Sequence, residues 1–287
     1  MNQKIECYIL GTAYTGSTIL GEALNMHSKI AYVGELSRAQ GYYDLHRFYN
    51  SPDGCMYCHI DGKSCSIFTD NFLKGTNNYS PAESYLRLRK AYNKPVLIDG
   101  SKHARWLEHV LKQREDISGI RAIILAKNPT SYLSSCSDRG IGNMEHEATV
   151  WRDTYFNIFS LVNLYGLPTL VIRHEDFVAN PEKILRKITN FLNLKYEKRM
   201  VNSKKQPLHA IGGNPGAYIG TFDIDRISIR NKKLGQKYFD VNPIRLTSKI
   251  INTSKAKIMH AKYVKIILET PSLIDLYRQL GFNIKDL

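Results

Sequence analysis

The residues best suited to chemistry lie near the amino terminus, in the segment 11–18 (G-T-A-Y-T-G-S-T). An apolar run, 5–10, precedes this segment, and apolar residues with helical spacing follow it. This is the layout of a phosphate cradle, a phosphate-binding loop between a strand and a helix. The turn has glycines five residues apart, and the helix begins at Ser-Thr. In such a cradle, backbone N–H groups and the positive end of the helix dipole face an anion. The segment therefore predicts a bound phosphate, with a ligand-free glycine turn as the alternative.

The spacing of this cradle is that of a Walker A loop, but Ser17 occupies the position of the lysine. That lysine normally reaches the β- and γ-phosphates of a nucleoside triphosphate. Its replacement argues against a P-loop kinase, and no aspartate follows a strand in the context expected for a Mg²⁺ ligand. A kinase for a small molecule or nucleoside is still the first alternative, and a nucleotide-binding protein without catalytic activity is the second.

The elements that must position this loop alternate between strand and helix. Strands are predicted over 5–10, 29–33, 95–98, 121–126 and 168–172, and helices over 17–26, 37–48, 81–91, 102–113, 129–135, 145–165 and 181–192. This alternation predicts an α/β fold, a P-loop NTPase-like parallel sheet flanked by helices on both faces. Ligands of such sheets bind at the carboxyl ends of the strands, which brings together the loop, Glu35, the turn 99–102 and the segment 127–135.

Composition and charge limit the classes of protein to which this chain can belong. The 287 residues are 43% hydrophobic and 23% charged, with a net charge of +14. This length and composition predict one domain over 1–287. A Cys-containing insertion at about 50–78 and a basic, helical tail from about 243 are expected within it. The charge predicts an anionic partner, but without a block of basic residues nucleic acid is not indicated. No apolar segment is long enough for a transmembrane span or a secretory leader, so a cytoplasmic location is expected.

Five features, in the same order, resemble those of the sulfotransferases that use 3′-phosphoadenosine-5′-phosphosulfate (PAPS). They are G-T-A-Y-T-G-S-T-I-L followed by V-G-E-L; a Cys-containing insertion; A-I-I-L-A-K-N-P-T-S-Y-L-S-S; V-I-R-H-E-D-F with N-P-E-K-I-L-R-K-I-T-N-F-L-N-L; and H-A-I-G-G-N-P. Bacterial members with Y-S-G-S-T in the first loop and a similar insertion are the closer likeness. The likeness extends over about 5–234.

This resemblance implies transfer of a sulfuryl group from PAPS to a hydroxyl or amine of a small-molecule, glycan or lipid acceptor. Adenosine 3′,5′-bisphosphate would be the product, and no metal would be required. The resemblance places the 5′-phosphosulfate on the loop and the 3′-phosphate on Lys127 and Ser135, with Arg139 one turn further on. The complete implied donor site is Thr12, Ala13, Tyr14, Thr15, Gly16, Ser17, Thr18, Lys127, Ser135, Gly213 and Asn214.

Two candidate site positions need further explanation: one departs from the family pattern, and the other is the candidate base. Tyr14 stands where the family loop has Arg or Lys, so another cation must stabilise the departing phosphate, and Lys102 is the candidate. Glu35 is the candidate base, because related tyrosylprotein sulfotransferases carry a catalytic glutamate in a similar G-E segment. To act as a base at neutral pH, Glu35 needs a raised pKa or a hydrogen bond to the substrate. Its alternatives are a helix cap at Ser37 and an ion pair with an arginine.

The insertion contains Cys55, Cys58 and Cys65, with His59 adjacent. These residue types could form a Cys₃His zinc site. However, the spacing of the third cysteine is loose, and His59 is too close to Cys58 to bind the same ion readily. A reduced or disulfide-linked loop that shapes the acceptor pocket is the alternative, so the sequence assigns no metal. The odd count of five cysteines argues against a fully paired secreted framework.

Overall fold

Five parallel strands form the sheet at the centre of the molecule. The computed structural model describes residues 4–39, 55, 57–58, 64–69, 72, 80–141, 143–201, 208–213, 264–265, 268–269 and 271–283. The strands are β1 (Ile5–Leu10), β2 (Ile30–Gly34), β3 (Val96–Lys102), β4 (Ile120–Ala126) and β5 (Thr169–Arg173), in the spatial order β2-β3-β1-β4-β5. All carboxyl ends therefore lie at one edge, and the central strand β1 delivers the loop 11–18 to the middle of that edge.

Helices connect the strands and cover the sheet, so the predicted α/β class is confirmed. They are α1 (Ser17–Asn25), α2 (Leu36–Ala39), α3 (Pro81–Tyr92), α4 (Ala104–Leu111), α5 (Pro129–Ser137), α6 (Met144–Leu164), α7 (His174–Ala179), α8 (Pro181–Phe191) and α9 (Pro271–Gln279). A 3₁₀ turn, Lys198–Met200, follows α8. Within the described ranges, none of the helices has the length and apolar character needed to cross a bilayer.

Successive residues of β1 face two separate cores. Ile5, Cys7 and Ile9 pack in the core that includes residues of α1 and α8, while Tyr8 and Leu10 pack in the core that includes residues of α4 and α6. Burial on both faces explains why the strand is mostly apolar rather than alternating. Its one charged residue, Glu6, is buried in ion pairs with Arg89 (3.3 Å) and Arg114 (2.7 Å). Burial on both faces also fixes the position of the loop that follows β1.

Strand β3 is longer than its sequence predicts. The prediction ended it at Ile98, because the next four residues have the composition of a turn. In the structure Asp99 is buried, and its carboxylate accepts hydrogen bonds from the Ser101 N–H (2.5 Å), the Trp106 indole (3.3 Å) and the Tyr85 hydroxyl. These bonds satisfy a polar group inside the core, so the strand continues to Lys102.

Other boundaries agree within a few residues, with two exceptions. The predicted helix 37–48 is described only as the short α2, since residues 40–54 lie outside the described ranges. The short helix α7 was not predicted. Of the predicted helical tail, α9 is present. The single-domain arrangement, with its insertion and tail, stays a prediction.

A distant segment, 208–213, joins the sheet at the carboxyl end of β2. The Ile211 N–H donates to the Val33 carbonyl (3.0 Å), and the Glu35 N–H donates to the Ile211 carbonyl (2.5 Å). Gly34 lies between them with a φ of +82°, and a Cβ there would lie 2.2 Å from the Ile211 carbonyl oxygen. Only glycine allows this backbone conformation and this approach together.

We therefore expect Gly34→Ala to lower the free energy of unfolding by about 2–4 kcal/mol, from backbone strain and a forced shift of Ile211. The matched control is Gly140→Ala, since Gly140 also has a positive φ (+73°) but no atom within 4 Å of the place that a Cβ would occupy. The control should cost about 1 kcal/mol, from strain alone. Urea unfolding followed by circular dichroism measures both, and equal losses would show that the approach of Ile211 carries no energetic weight.

Candidate functional site

The loop 11–18 forms a turn that ends at the first residue of α1. The Thr15 hydroxyl donates to the Thr12 carbonyl (3.1 Å), which closes the turn. Gly16 is the N-cap residue with a φ of +83°, and no side chain caps the helix. The first turn of α1, which begins with Ser17 and Thr18, therefore presents its N–H groups where an anion can take the place of a cap.

Lys127, directly after β4, meets the loop and Ser135. Its Nζ lies 2.8 Å from Ser135 Oγ and 3.3 Å from the Tyr14 carbonyl oxygen. The residue is only 4% exposed. Burial lowers the pKa of Lys127 to about 8, although the nearby Glu175 carboxylate opposes this shift. The structure thus brings together three of the predicted donor-site residues around one buried ammonium group.

Two aromatic side chains of α6 fix the backbone at Lys127. The Trp151 indole N–H donates to the Lys127 carbonyl (3.0 Å). The Tyr155 hydroxyl donates to the Leu125 carbonyl (3.1 Å) and accepts from the Lys127 N–H (3.3 Å). Both rings are fully buried. A long core helix therefore sets the position of the ammonium group, through hydrogen bonds to the end of β4.

Tyr14 lies under a guanidinium group. Arg139 Cζ is 4.1 Å from the centre of the Tyr14 ring, and Arg139 also donates to the Ser135 carbonyl (2.7 Å). Tyr14 is 39% exposed and has a φ of +63°, which is uncommon for a residue with a side chain. The position that lacks the family's charge therefore has a cation stacked on it, as a cation–π pair.

Glu35, at the end of β2, is held by two cations. Lys102 Nζ donates to Glu35 Oε1, and Arg38 Nε donates to Glu35 Oε2. Lys102 is the last residue of β3, with a φ of +72°, and its carbonyl accepts from the Gly11 N–H (3.2 Å). Lys102 therefore joins the loop 11–18 to Glu35, and it belongs to β3 rather than to the helix predicted over 102–113.

The electrostatics of Glu35 differ from what a general base was expected to need. Burial alone would raise the pKa of Glu35, but Lys102 and Arg38 together hold it below its ordinary value. The carboxyl group is thus ionised at neutral pH, because the two cations shift its pKa in the direction opposite to that considered for a general base. The ion pair with an arginine, which the sequence offered as an alternative to a catalytic base, is present, and Arg38 is the partner of Glu35.

The segment 208–213 lies against the same corner of the site. A Cβ at Gly212 would lie 2.5 Å from Arg38 Cδ and 3.3 Å from Glu35 Cβ. Gly213, a predicted donor-site residue, follows directly, and Asn214 lies outside the described residues. The structure thus brings this motif to Glu35, and its part in donor binding stays a prediction.

Two residues of the V-I-R-H-E-D-F segment, to which the sequence assigned no role in the site, lie beside it. A Cβ at Gly16 would lie 2.8 Å from the His174 ring. Burial and the Lys127 charge lower the pKa of His174 to about 3, so this imidazole is neutral. The Glu175 carboxylate accepts from the Asn128 N–H (2.9 Å), and burial of this group raises its pKa. In the sequence, these two residues could have been identified by their position after the last predicted strand, because site residues lie at the carboxyl ends of parallel strands.

A separate cluster of ligand-type side chains lies beside β2. Cys55, Cys58, Cys65 and His209 place their sulfur and ring nitrogen atoms within 4.8 Å of one another. His209 was not predicted here, because it is far from the cysteines in sequence. His59, the histidine considered from the sequence, lies outside the described residues.

Comparisons with known proteins identify the class of fold. No family model and no curated protein sequence matches the chain. Among solved structures, the sulfotransferase domain from the curacin biosynthetic pathway is similar, with a TM-score of 0.62, 18% identity, and coverage of 99% of this chain and 100% of that chain. The sulfotransferase domain from the Synechococcus PCC 7002 olefin synthase is similar with a TM-score of 0.53, 18% identity, and coverage of 98% and 96%. The chain therefore has the fold of sulfotransferase domains.

The lowered pKa of Lys127 predicts a specific pH dependence of stability. An unfolded lysine holds its proton up to about pH 10.4, whereas folded Lys127 releases it near pH 8. Between these values the unfolded state binds more protons, so this residue makes stability rise with pH, by at most about 1.4 kcal/mol per pH unit.

Lys127→Met removes this contribution, so we expect it to be at least as stable as the parent at pH 7 and to lose relative stability from pH 8 to 10. Lys187→Met, on the exposed face of α8, should show no such pH-dependent difference. Urea unfolding from pH 6 to 10, in buffers without phosphate or sulfate, measures both. A stability difference between parent and Lys127→Met that is constant over this range would contradict the burial of a titrating ammonium.

Proposed function

We propose that this chain is a sulfotransferase that moves a sulfuryl group from PAPS to a hydroxyl or amine of a small-molecule, glycan or lipid acceptor. The observation that carries the proposal is the buried ammonium of Lys127, which lies against both Ser135 and the loop 11–18. A donor with phosphates on both the 3′ and 5′ sides of its ribose suits two adjacent anion sites. The chain of phosphates in a nucleoside triphosphate suits a single site that contains the Walker lysine.

Lys127, Ser135 and Arg139 would hold the 3′-phosphate. The hydrogen bond between Lys127 and Ser135 already orients both groups, and a bound anion would offset the cost of burying the ammonium. The N–H groups of the loop and the hydroxyls of Ser17 and Thr18 would hold the 5′-phosphosulfate. PAPS supplies the activated sulfuryl group, whose bond to the phosphate oxygen breaks on transfer.

Glu35 would accept the proton of the acceptor. As the acceptor oxygen bonds to sulfur, the electron pair of the broken S–O bond stays on the departing phosphate, and the acceptor proton moves to the carboxylate. Lys102 would serve both ends of this step, and two contacts support this: its ammonium donates to Glu35, and its carbonyl accepts from the Gly11 N–H of the loop. If its ammonium turns toward the departing phosphate, Glu35 loses a cation and its pKa rises toward the range of an effective base.

A small-molecule kinase is the first alternative. The serine at position 17 disfavours it, because the lysine that reaches the β- and γ-phosphates is missing. A nucleotide-binding protein without activity is the second, and Tyr14 is the residue that favours it. The Arg139 guanidinium over Tyr14 supplies a positive charge at this position and so supports a working transferase. A cytoplasmic location and transfer without a metal belong to the same proposal.

The class of nucleotide that the protein binds can be tested by measuring the shift in Tm on addition of ligand. Adenosine 3′,5′-bisphosphate should raise the Tm more than ATP·Mg²⁺ does, because only the former has a 3′-phosphate for Lys127. Lys127→Ala should abolish most of this shift, whereas Lys187→Ala, an exposed lysine of α8, should keep it. A larger shift with ATP·Mg²⁺ would favour the kinase, and an unchanged shift in Lys127→Ala would remove this residue from the site.

Transfer itself can be tested with labelled PAPS and a panel of carbohydrate, lipid, phenol and peptide acceptors. Glu35→Gln should lower the rate of label transfer by about 10²–10⁴-fold, as expected for loss of a general base, and keep affinity for adenosine 3′,5′-bisphosphate. Glu83→Gln, on the exposed face of α3, should leave the rate unchanged. Full activity of Glu35→Gln would assign the base to another residue.

A further inference from the structure

Four side chains from three separate segments converge beside the carboxyl end of β2. Cys55 and Cys58 come from one segment, Cys65 from the next, and His209 from the segment that pairs with β2. Cys55 and Cys65 are buried, and Cys58 and His209 are half-buried. None of the cysteines in the described ranges is joined in a disulfide.

The distances in this cluster match those of a tetrahedral metal site. His209 Nδ1 lies 3.3 Å from Cys58 Sγ, 3.3 Å from Cys65 Sγ and 4.0 Å from Cys55 Sγ. Around Zn²⁺, with bonds of about 2.3 Å to sulfur and 2.0–2.1 Å to nitrogen, the tetrahedron has edges of about 3.6 Å between N and S. The same geometry separates two sulfur atoms by about 3.8 Å, within the 4.8 Å spread of the cluster.

The surroundings of the cluster also suit thiolate ligands. The Phe68 N–H donates to Cys65 Sγ (3.2 Å), and the backbone of Cys58 and of Ala210 donates to the Cys55 sulfur. The Tyr92 hydroxyl donates to the carbonyl of His209, which fixes that backbone. Partners of this kind orient the ligands of a metal site and stabilise their charge.

We propose that Cys55, Cys58, Cys65 and His209 bind one structural Zn²⁺ ion, through three thiolate sulfurs and the Nδ1 of the imidazole. Three soft thiolates with one imidazole select zinc over the hard cations Mg²⁺ and Ca²⁺. Four protein ligands leave no open coordination position, so the ion is structural rather than catalytic. This proposal replaces the sequence-based expectation of no metal, and it does not depend on the proposed sulfuryl transfer.

The ion would fix the segment 208–213 against β2. His209 is two residues before Ile211, whose carbonyl accepts the Glu35 N–H, and Cys55 also pairs with Ile211. Loss of the ion would therefore release the backbone that lies on Glu35 and Arg38. The expected result is lower stability, together with a displaced carboxyl end of β2.

The test begins with the metal content of the full chain, purified without chelator or added metal, which should be about one zinc per chain. Co²⁺ exchanged into the same protein should give the visible absorption of a tetrahedral site and a sulfur-to-metal charge-transfer band. Removal of zinc with a strong chelator should lower the Tm by about 5–10 °C, and added Zn²⁺ should restore it.

Variants with matched controls locate the ion. Cys58→Ser and His209→Asn should lose zinc and the tetrahedral Co²⁺ spectrum, while Cys136→Ser and His109→Asn, outside the cluster, should keep both. If the ligand variants do not fold, the Co²⁺ spectrum of the parent still decides whether a tetrahedral thiolate site is present. A parent protein with no bound zinc and no tetrahedral Co²⁺ spectrum overturns the proposal, whether its thiols are free or joined in a disulfide. Zinc retained at full stoichiometry by both ligand variants overturns it as well.

Discussion

The burial of one ammonium group, that of Lys127, is the constraint on which the site depends. A charge inside a protein is tolerated only if polar groups surround it. Here Ser135, the Tyr14 carbonyl and the nearby Glu175 carboxylate provide those groups, and each comes from a different part of the chain. Their meeting requires that β1 and β4 be neighbours in register, which in turn requires the two cores that cover the sheet. The packing of the fold thus also sets the position of this ammonium group.

Much of the fold followed from the sequence, because strands buried on both faces are continuous apolar runs between helical segments. The resemblance to the sulfotransferase motif also paired Lys127 with Ser135, and the two side chains are hydrogen-bonded in the structure. Strand β3 was predicted too short, because Asp99 has the character of a turn residue until its buried partners are known. Burial of a carboxylate depends on contacts with Tyr85 and Trp106 that no local pattern contains.

The remaining features depend on long-range contacts that sequence spacing does not reveal. His209 joins Cys55, Cys58 and Cys65 only because Ile211 pairs with Gly34. The lowered pKa of Glu35 arises from Lys102, which reaches it across neighbouring strands, and from Arg38, three residues away. An arginine partner was among the alternatives from the sequence, but the distant partners His209 and Lys102 were not recognisable as such. The role of a carboxylate depends on the cations beside it, so function at Glu35 is decided by tertiary structure.

The pairing of Ile211 with the end of β2 has a consequence for how the chain folds during its synthesis. The ribosome makes β2 early, at about 5–20 residues per second, but the segment that completes its carboxyl end emerges much later. Until then, the backbone at Val33 and Glu35 lacks the hydrogen bonds that Ile211 provides. An unpaired strand edge is a hazard for aggregation in a nascent chain. The segment 208–213 thus covers the carboxyl end of this edge, and a chain that stops before residue 211 would leave the Val33 carbonyl and the Glu35 N–H without these partners.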